Sequence, residues 1–242
     1  MLARRRSRTT GALRRFLFLT LVLLVLGGAL YVFFLTPVFK IKIVRVDGQE
    51  WSGGRDFSEG VGQNIFFWQP DIDLGDMPQV ATSSLEKKYF SGEVTIRLEP
   101  RERYVIWCLE KQGECFWVGD NGVAFSSAPN LKGPLVFHLV RDYSEHRLSL
   151  GDRVLGEDQF ANLKKAFDLM AELAIPVSEM RIENLNFKEV TAYSAGGPKI
   201  LFSLLLDPEF GSGVIESLRQ SGEWDSLSYV DLRISGRAYY SQ

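Results

Sequence analysis

The chain has 242 residues, and its 45% hydrophobic and 12% aromatic content is too high for a generally disordered protein. Its formal net charge is −2, but six of the 28 Lys and Arg residues lie among the first fifteen residues, which leaves 22 of them against 30 Asp and Glu. The resulting net charge of −8 outside the first fifteen residues argues against a nucleic-acid-binding protein, whose binding face would be basic.

Residues 16–36 are predicted to form a transmembrane helix. Phe16 to Leu35 is a run of twenty uncharged, mostly apolar residues, which as a helix would span about 30 Å, the thickness of a bilayer's hydrocarbon core. Arginines precede it and no acidic residue appears before Asp47, so residues 1–15 are expected to form a cytoplasmic basic tail. A cleavable signal peptide would have a shorter apolar core and a small-residue cleavage site, and a buried soluble helix would have a polar face. The sequence favours an uncleaved, single-pass anchor with the later domains outside the cytoplasm.

Residues 38–125 predict a small α/β domain on a three- or four-stranded sheet. Phe39–Val46 alternates between apolar and cationic residues, as a half-buried strand does. Glu93–Glu99 alternates in the same way and ends at Pro100, which cannot donate to a strand ladder. A further hairpin near residues 104–118 is placed in this domain too.

Cys108 and Cys115 are the two cysteines of the chain. A four-residue turn at residues 110–113 would place them opposite each other in an antiparallel hairpin, and a compartment outside the cytoplasm permits oxidation. They are therefore a candidate disulfide, the alternative being two small buried residues in adjacent strands. His138 and His146 lie well apart from both cysteines, so no metal site is expected.

Residues 126–242 predict a mixed β-domain with helices packed on the sheet. The stronger helix is expected at residues 157–174, where apolar residues recur at helical spacing before Pro176, and a second at residues 214–220. The helical stripe consists of Phe160, Leu163, Phe167, Met170 and Ala174. Strands are expected near residues 179–183, 187–193 and 199–205, and a single last strand at residues 229–240.

The last strand is the candidate binding element. A strand at the end of a chain is a natural sheet edge, whose unpaired N–H and C=O groups can accept the backbone of another protein. Flanking Arg and Tyr side chains, common hot-spot residues, would add selectivity. The alternative is that Asp231 and Arg233 only stabilise the domain; for Asp231 this alternative is favoured.

A succession of short motifs runs along the chain. It consists of the arginine-rich head, the apolar helix, residues 39–48, 64–66, 78–80 and 99–103, Trp107, residues 120–125 and the closing Val-Asp-Leu-Arg of residues 230–233. This order resembles the bacterial cell-division family FtsQ, called DivIB in some lineages. The resemblance covers nearly the whole chain and depends on the order of the motifs more than on any single one. One departure is Phe90-Ser91, which stands where the family pattern has a second proline before the strand ending in Glu-Arg.

This resemblance implies a POTRA domain at residues 38–125, an FtsQ/DivIB-type β-domain at residues 126–242, and no enzymatic activity, cofactor or metal. It implies a location in the cytoplasmic (inner) membrane at the division septum. The implied partners are the single-pass membrane proteins FtsB (DivIC in some lineages) and FtsL, and the implied role is to help control septal peptidoglycan synthesis. The last strand would take up a partner strand, and the implied partner-binding residues are Arg233, Ile234, Gly236, Tyr239 and Tyr240.

Two other functions remain open from the sequence. One is a membrane-anchored extracytoplasmic cell-wall enzyme, and the other is a POTRA-type chaperone for exported polypeptides. No phosphate loop with Gly-Lys-Ser/Thr and no Gly-x-Ser-x-Gly elbow occurs in the sequence. The segment Asp71–Asp76 departs from a calcium loop in the position of its glycine. The sequence therefore favours a binding protein over an enzyme.

Overall fold

The computed structural model describes residues 8–130 and 138–242, so the first three arginines of the predicted basic tail lie outside the described residues. The chain is α+β, as expected, and divides into two compact units. The first unit runs to Ile72 and includes Thr82–Glu99, and the second comprises Asp73–Ala81 and Pro100–Gln242.

Helix α1, Arg8–Leu35, contains the predicted apolar segment. Its stretch Arg14–Phe34 is long and apolar enough to cross a membrane, and no other helix in the described part of the chain is. Its apolar side chains are largely exposed, with Leu24 at 69%.

The first unit also contains most of a three-stranded mixed sheet. Its strands are β1 (Ile43–Asp47), β2 (Val80–Lys88) and β3 (Glu93–Pro100), in the order β1-β3-β2. Strand β1 runs parallel to β3, with Ile43 opposite Glu93 and Asp47 opposite Arg97.

The connection from β1 to β2 differs from the predicted α/β domain. It is described throughout and contains two 3₁₀ turns, Gln49–Trp51 and Ser58–Gly60, but no α-helix. Glycines with positive φ at positions 53, 54 and 62 limit residues 55–61 to a single 3₁₀ turn, because a glycine at such angles breaks a helix.

The hairpin region near residues 104–125 also differs from its predicted place. Strands β4 (Val105–Leu109), β5 (Glu114–Val118) and β6 (Ala124–Ser127) belong to a nine-stranded sheet in the second unit. Every residue of β4 is buried. On the side that β5 does not occupy, β4 pairs in parallel with the strand that begins at Leu139. The boundary between the units therefore lies at Glu99/Pro100, whereas the sequence placed the domain boundary after residue 125.

The remaining elements complete the nine-stranded sheet. Its order is β12-β11-β10-β9-β8-β7-β4-β5-β6. The strands β7 and β8, and likewise β10 and β11, are parallel and are connected through α2 and α3 respectively, because parallel neighbours need a crossover. The bounds are β7 Leu139–Asp142, α2 Glu157–Glu172, β8 Val177–Ile182, β9 Glu189–Ser194, β10 Lys199–Ser203, α3 Gly211–Gln220, β11 Tyr229–Ile234 and β12 Arg237–Ser241.

The main core of the second unit lies between this sheet and its two helices. Four of the five residues in the predicted α2 stripe are buried in it, but Ala174 is exposed. The helix ends at Glu172, and Ala174 adopts a left-handed φ of 50°, which stops the helix just before Pro176. Buried members of the core include Phe160, Leu163, Phe167 and Met170 of α2, Ile215 and Leu218 of α3, and Trp107, Phe202, Val230 and Leu232 of the sheet.

A disulfide joins Cys108 of β4 to Cys115 of β5, which face each other in the antiparallel register. Both residues are buried, together with Ile106 and Leu139, in a small apolar cluster separate from the main core. The structure thus gives these two cysteines the arrangement that their spacing predicts.

Replacing both cysteines with alanine should lower the free energy of unfolding by about 2–3 kcal/mol, the value for a short closed loop. The bridged residues are seven positions apart, so the crosslink restricts only a short loop of the unfolded chain. Urea unfolding of the full chain in detergent micelles, followed by circular dichroism, would measure the change. Reducing the disulfide of the unmodified protein should lower the free energy of unfolding by the same amount. If neither the double alanine variant nor the reduced protein unfolds at a lower urea concentration, the prediction is wrong.

A candidate partner-binding sheet edge

The predicted last strand is in fact a hairpin, which corrects the expectation of one strand at residues 229–240. Strands β11 and β12 are antiparallel, with Val230 opposite Tyr240 and Ile234 opposite Arg237. Ser235 and Gly236 form the turn, and Gly236 has a φ of 67°, a conformation that glycine adopts without strain. Gly236 was predicted as a partner-binding residue within a strand, but the structure gives it the role of turn residue.

The sheet order makes β12 the edge strand and places β11 between β10 and β12. Of the predicted site residues, Tyr239 and Tyr240 therefore lie on the edge, whereas Arg233 and Ile234 lie on the neighbouring inner strand. Within residues 8–130 and 138–242, no strand pairs with the outer side of β12. Alternate residues of such an edge strand direct their N–H and C=O groups outward, where another backbone can pair with them.

Exposed apolar and aromatic side chains surround this edge. Tyr239 is 47% exposed, Tyr240 is 51% exposed, and Ile234 at the hairpin end is 51% exposed. Cross-strand partners share a face, so Tyr240 projects on the face of buried Val230, and Tyr239 projects on the opposite face with Asp231. A strand added to β12 would therefore meet one tyrosine on each face of the sheet.

The guanidinium of Arg233 is held by two carboxylates of its own domain. Its Nε and Nη2 donate to the two carboxylate oxygens of Asp231 at 2.9 and 2.6 Å, and its Nη1 donates to Glu189 of β9 at 2.7 Å. The hydrogen bonds with Asp231, followed by those with Glu189, raise the pKa of Arg233, and the same contact lowers the pKa of Asp231. Arg233 thus connects β11 to β9 across β10, which is the domain-stabilising role considered from the sequence.

The pairing of Arg233 should make stability depend on pH. Because the folded-state pKa of Asp231 lies below its ordinary value, the stabilisation is present above the ordinary carboxyl pKa of about 4 and is lost as the pH falls through the lower folded value. Arg233→Gln should lower the free energy of unfolding near neutral pH by about 1 kcal/mol, a modest value because the Arg233 side chain is 33% exposed.

Urea unfolding of both proteins near neutral pH and at about pH 3 would test this, because the difference between them should shrink in acid. A difference of equal size at both pH values would count against the assigned ion pair.

The opposite edge of the nine-stranded sheet is occupied by the chain itself. Strand β6 lies there, and the N–H of Ala124 donates to the carbonyl of Asp152 at 2.9 Å. The N–H of Gly151 donates in turn to the carbonyl of Ala124 at 2.8 Å. A loop therefore covers part of this edge, which distinguishes it from β12.

The three-stranded sheet has its own edges, β1 and β2. The longer of these, β2, has Glu86, Lys87 and Lys88 at its end, and charged side chains protect an edge strand from adding another chain. The aromatic, uncharged tyrosine pair makes β12 the better candidate for strand addition.

The signal for the hairpin was present in the sequence, because a Ser-Gly dipeptide marks a turn. The second carboxylate partner of Arg233 could not be found in this way, since Glu189 lies 44 residues earlier in the chain. Comparisons with known proteins add no family assignment: no protein-family model and no curated protein matches this chain.

Proposed function

We propose that this chain is a non-enzymatic docking protein of the bacterial cell-division machinery, similar to FtsQ and DivIB. In this proposal α1 anchors it once in the cytoplasmic membrane, with the N-terminus in the cytoplasm and both folded units outside. The POTRA-like domain would then be built on the three-stranded sheet, and the β-domain on the nine-stranded sheet. Resemblance in motif order supports the assignment to this family.

The observation that carries the proposal is the edge of β12. It combines an unpaired strand edge, in the part of the chain that the structure describes, with two half-exposed tyrosines on opposite faces. Backbone pairing along such an edge provides affinity, and the side chains beside it provide specificity.

The proposed partners are an FtsB/DivIC-like and an FtsL-like single-pass membrane protein. One of them would contribute an extended segment that adds to the sheet beside β12. Because all three proteins would be anchored in one membrane, their segments would be held at a high effective concentration near the edge. Through this assembly the chain would help control septal peptidoglycan synthesis.

Co-expression of the tagged full-length chain with the FtsB-like and FtsL-like proteins of the same genome tests the proposal. After solubilisation in mild detergent, both partners should co-purify with the chain. Retention of neither partner by a chain that is folded and membrane-inserted would contradict it. Capture of many unrelated exported polypeptides instead would favour the chaperone function, which uses the same type of edge.

A further inference from the structure

Aromatic rings surround the end of α1 in the first unit. Phe33 lies 4.9 Å from Phe66 between ring centroids, and Phe34 lies 5.8 Å from Phe67 in a stacked arrangement. Phe66 stacks in turn on Tyr89 at 4.7 Å. Side chains from the end of α1, from the β1–β2 connection and from the β2–β3 turn therefore form one contiguous set.

We call this set, together with Phe90, the aromatic collar: Phe33, Phe34, Phe66, Phe67, Tyr89 and Phe90.

Much of the collar remains exposed although five of its members, all except Phe90, are joined by ring contacts. Phe67 is 64% exposed, Phe66 is 41% exposed and Tyr89 is 42% exposed. Phe90, at the tip of the β2–β3 turn, is 91% exposed. Contiguous exposed apolar side chains of this kind mark a surface that binds a membrane, a ligand or another protein.

Backbone and side-chain hydrogen bonds fix the collar to the end of the helix. The Nδ2 of Asn64 donates to the carbonyl of Phe33 at 3.0 Å, which satisfies one of the acceptors left free at a helix end. The N–H of Ile65 donates to the carbonyl of Phe39 at 2.9 Å. Since Ile65 is fully buried, Phe66 and Phe67 are presented from an anchored position.

Cationic side chains lie beside the collar. Lys40 and Lys42 are exposed, and neither forms an ion pair with any residue that the structure describes. Gly92 belongs to the turn that carries Phe90. A Cβ added to Gly92 would lie 3.1 Å from the Cγ of Lys42, so the Lys42 side chain packs against this turn. The position of these lysines next to exposed rings matches the charge and polarity of an anionic bilayer surface.

We propose that the aromatic collar is inserted in the interfacial layer of the bilayer that α1 crosses, with Lys40 and Lys42 facing anionic lipid headgroups. This inference rests on the anchoring role that the proposed function gives to α1. The apolar stretch of α1 ends at Phe34, so the boundary of the hydrocarbon layer falls where the collar begins. Aromatic side chains are favoured at that boundary, and rings stacked on the last turn of a spanning helix meet the same lipid as the helix.

Spin-label quenching in vesicles tests the inference on the full-length chain. Cys108 and Cys115 are joined, so an introduced cysteine is the single free thiol and can carry a fluorophore. The three label sites are Ser91→Cys beside Phe90, Glu50→Cys and Leu24→Cys. The vesicles contain phosphatidylcholine and phosphatidylglycerol, with a nitroxide lipid quencher either near the headgroup or near the bilayer centre.

The Glu50 site is the matched control within the same unit. A Cβ added to Gly48 would lie 2.5 Å from the carbonyl oxygen of Leu98, so Gly48 contacts the end of β3 that contains Leu98. Glu50, two residues after Gly48, is therefore near that end of β3. Ser91 precedes the near end of β3, and the two sites are separated by about 20 Å along the strands.

The shallow quencher should reduce the signal at Ser91→Cys at least about threefold more than at Glu50→Cys, because only the collar lies in the interface. Adding Phe90→Asp to Ser91→Cys should bring its quenching down to the level of the control. The deep quencher should act on Leu24→Cys.

Two results overturn the inference and can be told apart. Quenching of Leu24→Cys with equal quenching at Ser91→Cys and Glu50→Cys would refute the collar but leave the anchor in place. An unquenched Leu24→Cys would refute the anchor, and with it both the inference and the membrane part of the proposed function.

Discussion

Replacing Tyr240 with aspartate should abolish co-purification of the FtsB-like and FtsL-like pair while the chain stays folded. Tyr240 is 51% exposed on the edge strand, so its side chain is free to be covered by an added strand. A carboxylate there would lose its hydration on binding without gaining a partner, and loss of a tyrosine hot spot costs about 2–4 kcal/mol, or a roughly 30- to 1,000-fold weaker complex.

Phe187→Asp is the matched control for this substitution. Phe187 is an aromatic residue of the same unit and is 67% exposed, but it precedes β9, three strands away from β12. It should leave binding unchanged. Normal binding by Tyr240→Asp would exclude the edge as the docking site, and equal loss with Phe187→Asp would show that surface charge alone disturbs the complex.

Replacing Arg141 with methionine should lower the free energy of unfolding by about 3–5 kcal/mol, the cost of breaking a buried ion pair. The Arg141 side chain is only 8% exposed on β7, and it forms ion pairs with Glu110 and, at 2.6 Å, with Glu179. Burial alone would lower the pKa of Arg141, but the hydrogen bonds and charges of these two carboxylates raise it. Methionine would leave the Glu110 carboxylate without its cation, whereas Glu179 would keep its ion pair with Arg181 at 2.6 Å.

Urea unfolding of the full chain in micelles would measure this loss. Lys111→Met is a suitable comparison, because Lys111 pairs with Glu145 at an exposed position and its removal should change little. Adding Glu110→Gln to Arg141→Met should restore part of the stability, because Glu110 is the carboxylate left without its cation. A double variant no more stable than Arg141→Met would show that lost packing, not unpaired charge, is the cause.

The elements with strong local patterns could be predicted from the sequence. The apolar run of α1 and the helical stripe of α2 give their positions directly, and the alternation at Glu93–Glu99 gives β3. These signals are local because the side-chain period of a helix or strand depends only on neighbouring residues.

Pairing between distant strands could not be predicted in the same way. The continuous apolar run Val105–Leu109 indicates a buried strand, but not that it pairs with Leu139–Asp142 rather than with the first sheet. The sheet to which β4 belongs depends on packing, and Trp107 is fully buried only beside β7 and under α2.

The candidate site was predicted in position but not in detail. Continuous alternation from Tyr229 to Tyr240 hid the turn at Ser235–Gly236, which moves the open edge from the whole tail to Arg237–Ser241. Arg233 was grouped with the partner-binding residues because it matches the family motif, and its carboxylate partner on β9 is too remote in sequence to be predicted. That Tyr239 and Tyr240 bind a partner stays a prediction.

Amide hydrogen exchange of β12 in the assembled complex is the most direct test of the docking edge. The full-length chain would be compared alone and bound to the FtsB-like and FtsL-like pair, with Ala124–Ser127 of β6 as the internal reference. Outward-facing amides of Arg237–Ser241 should exchange at least about tenfold more slowly in the complex, while those of β6 stay unchanged. A stable complex in which the β12 amides exchange as fast as in the free chain would mean that the partner binds elsewhere.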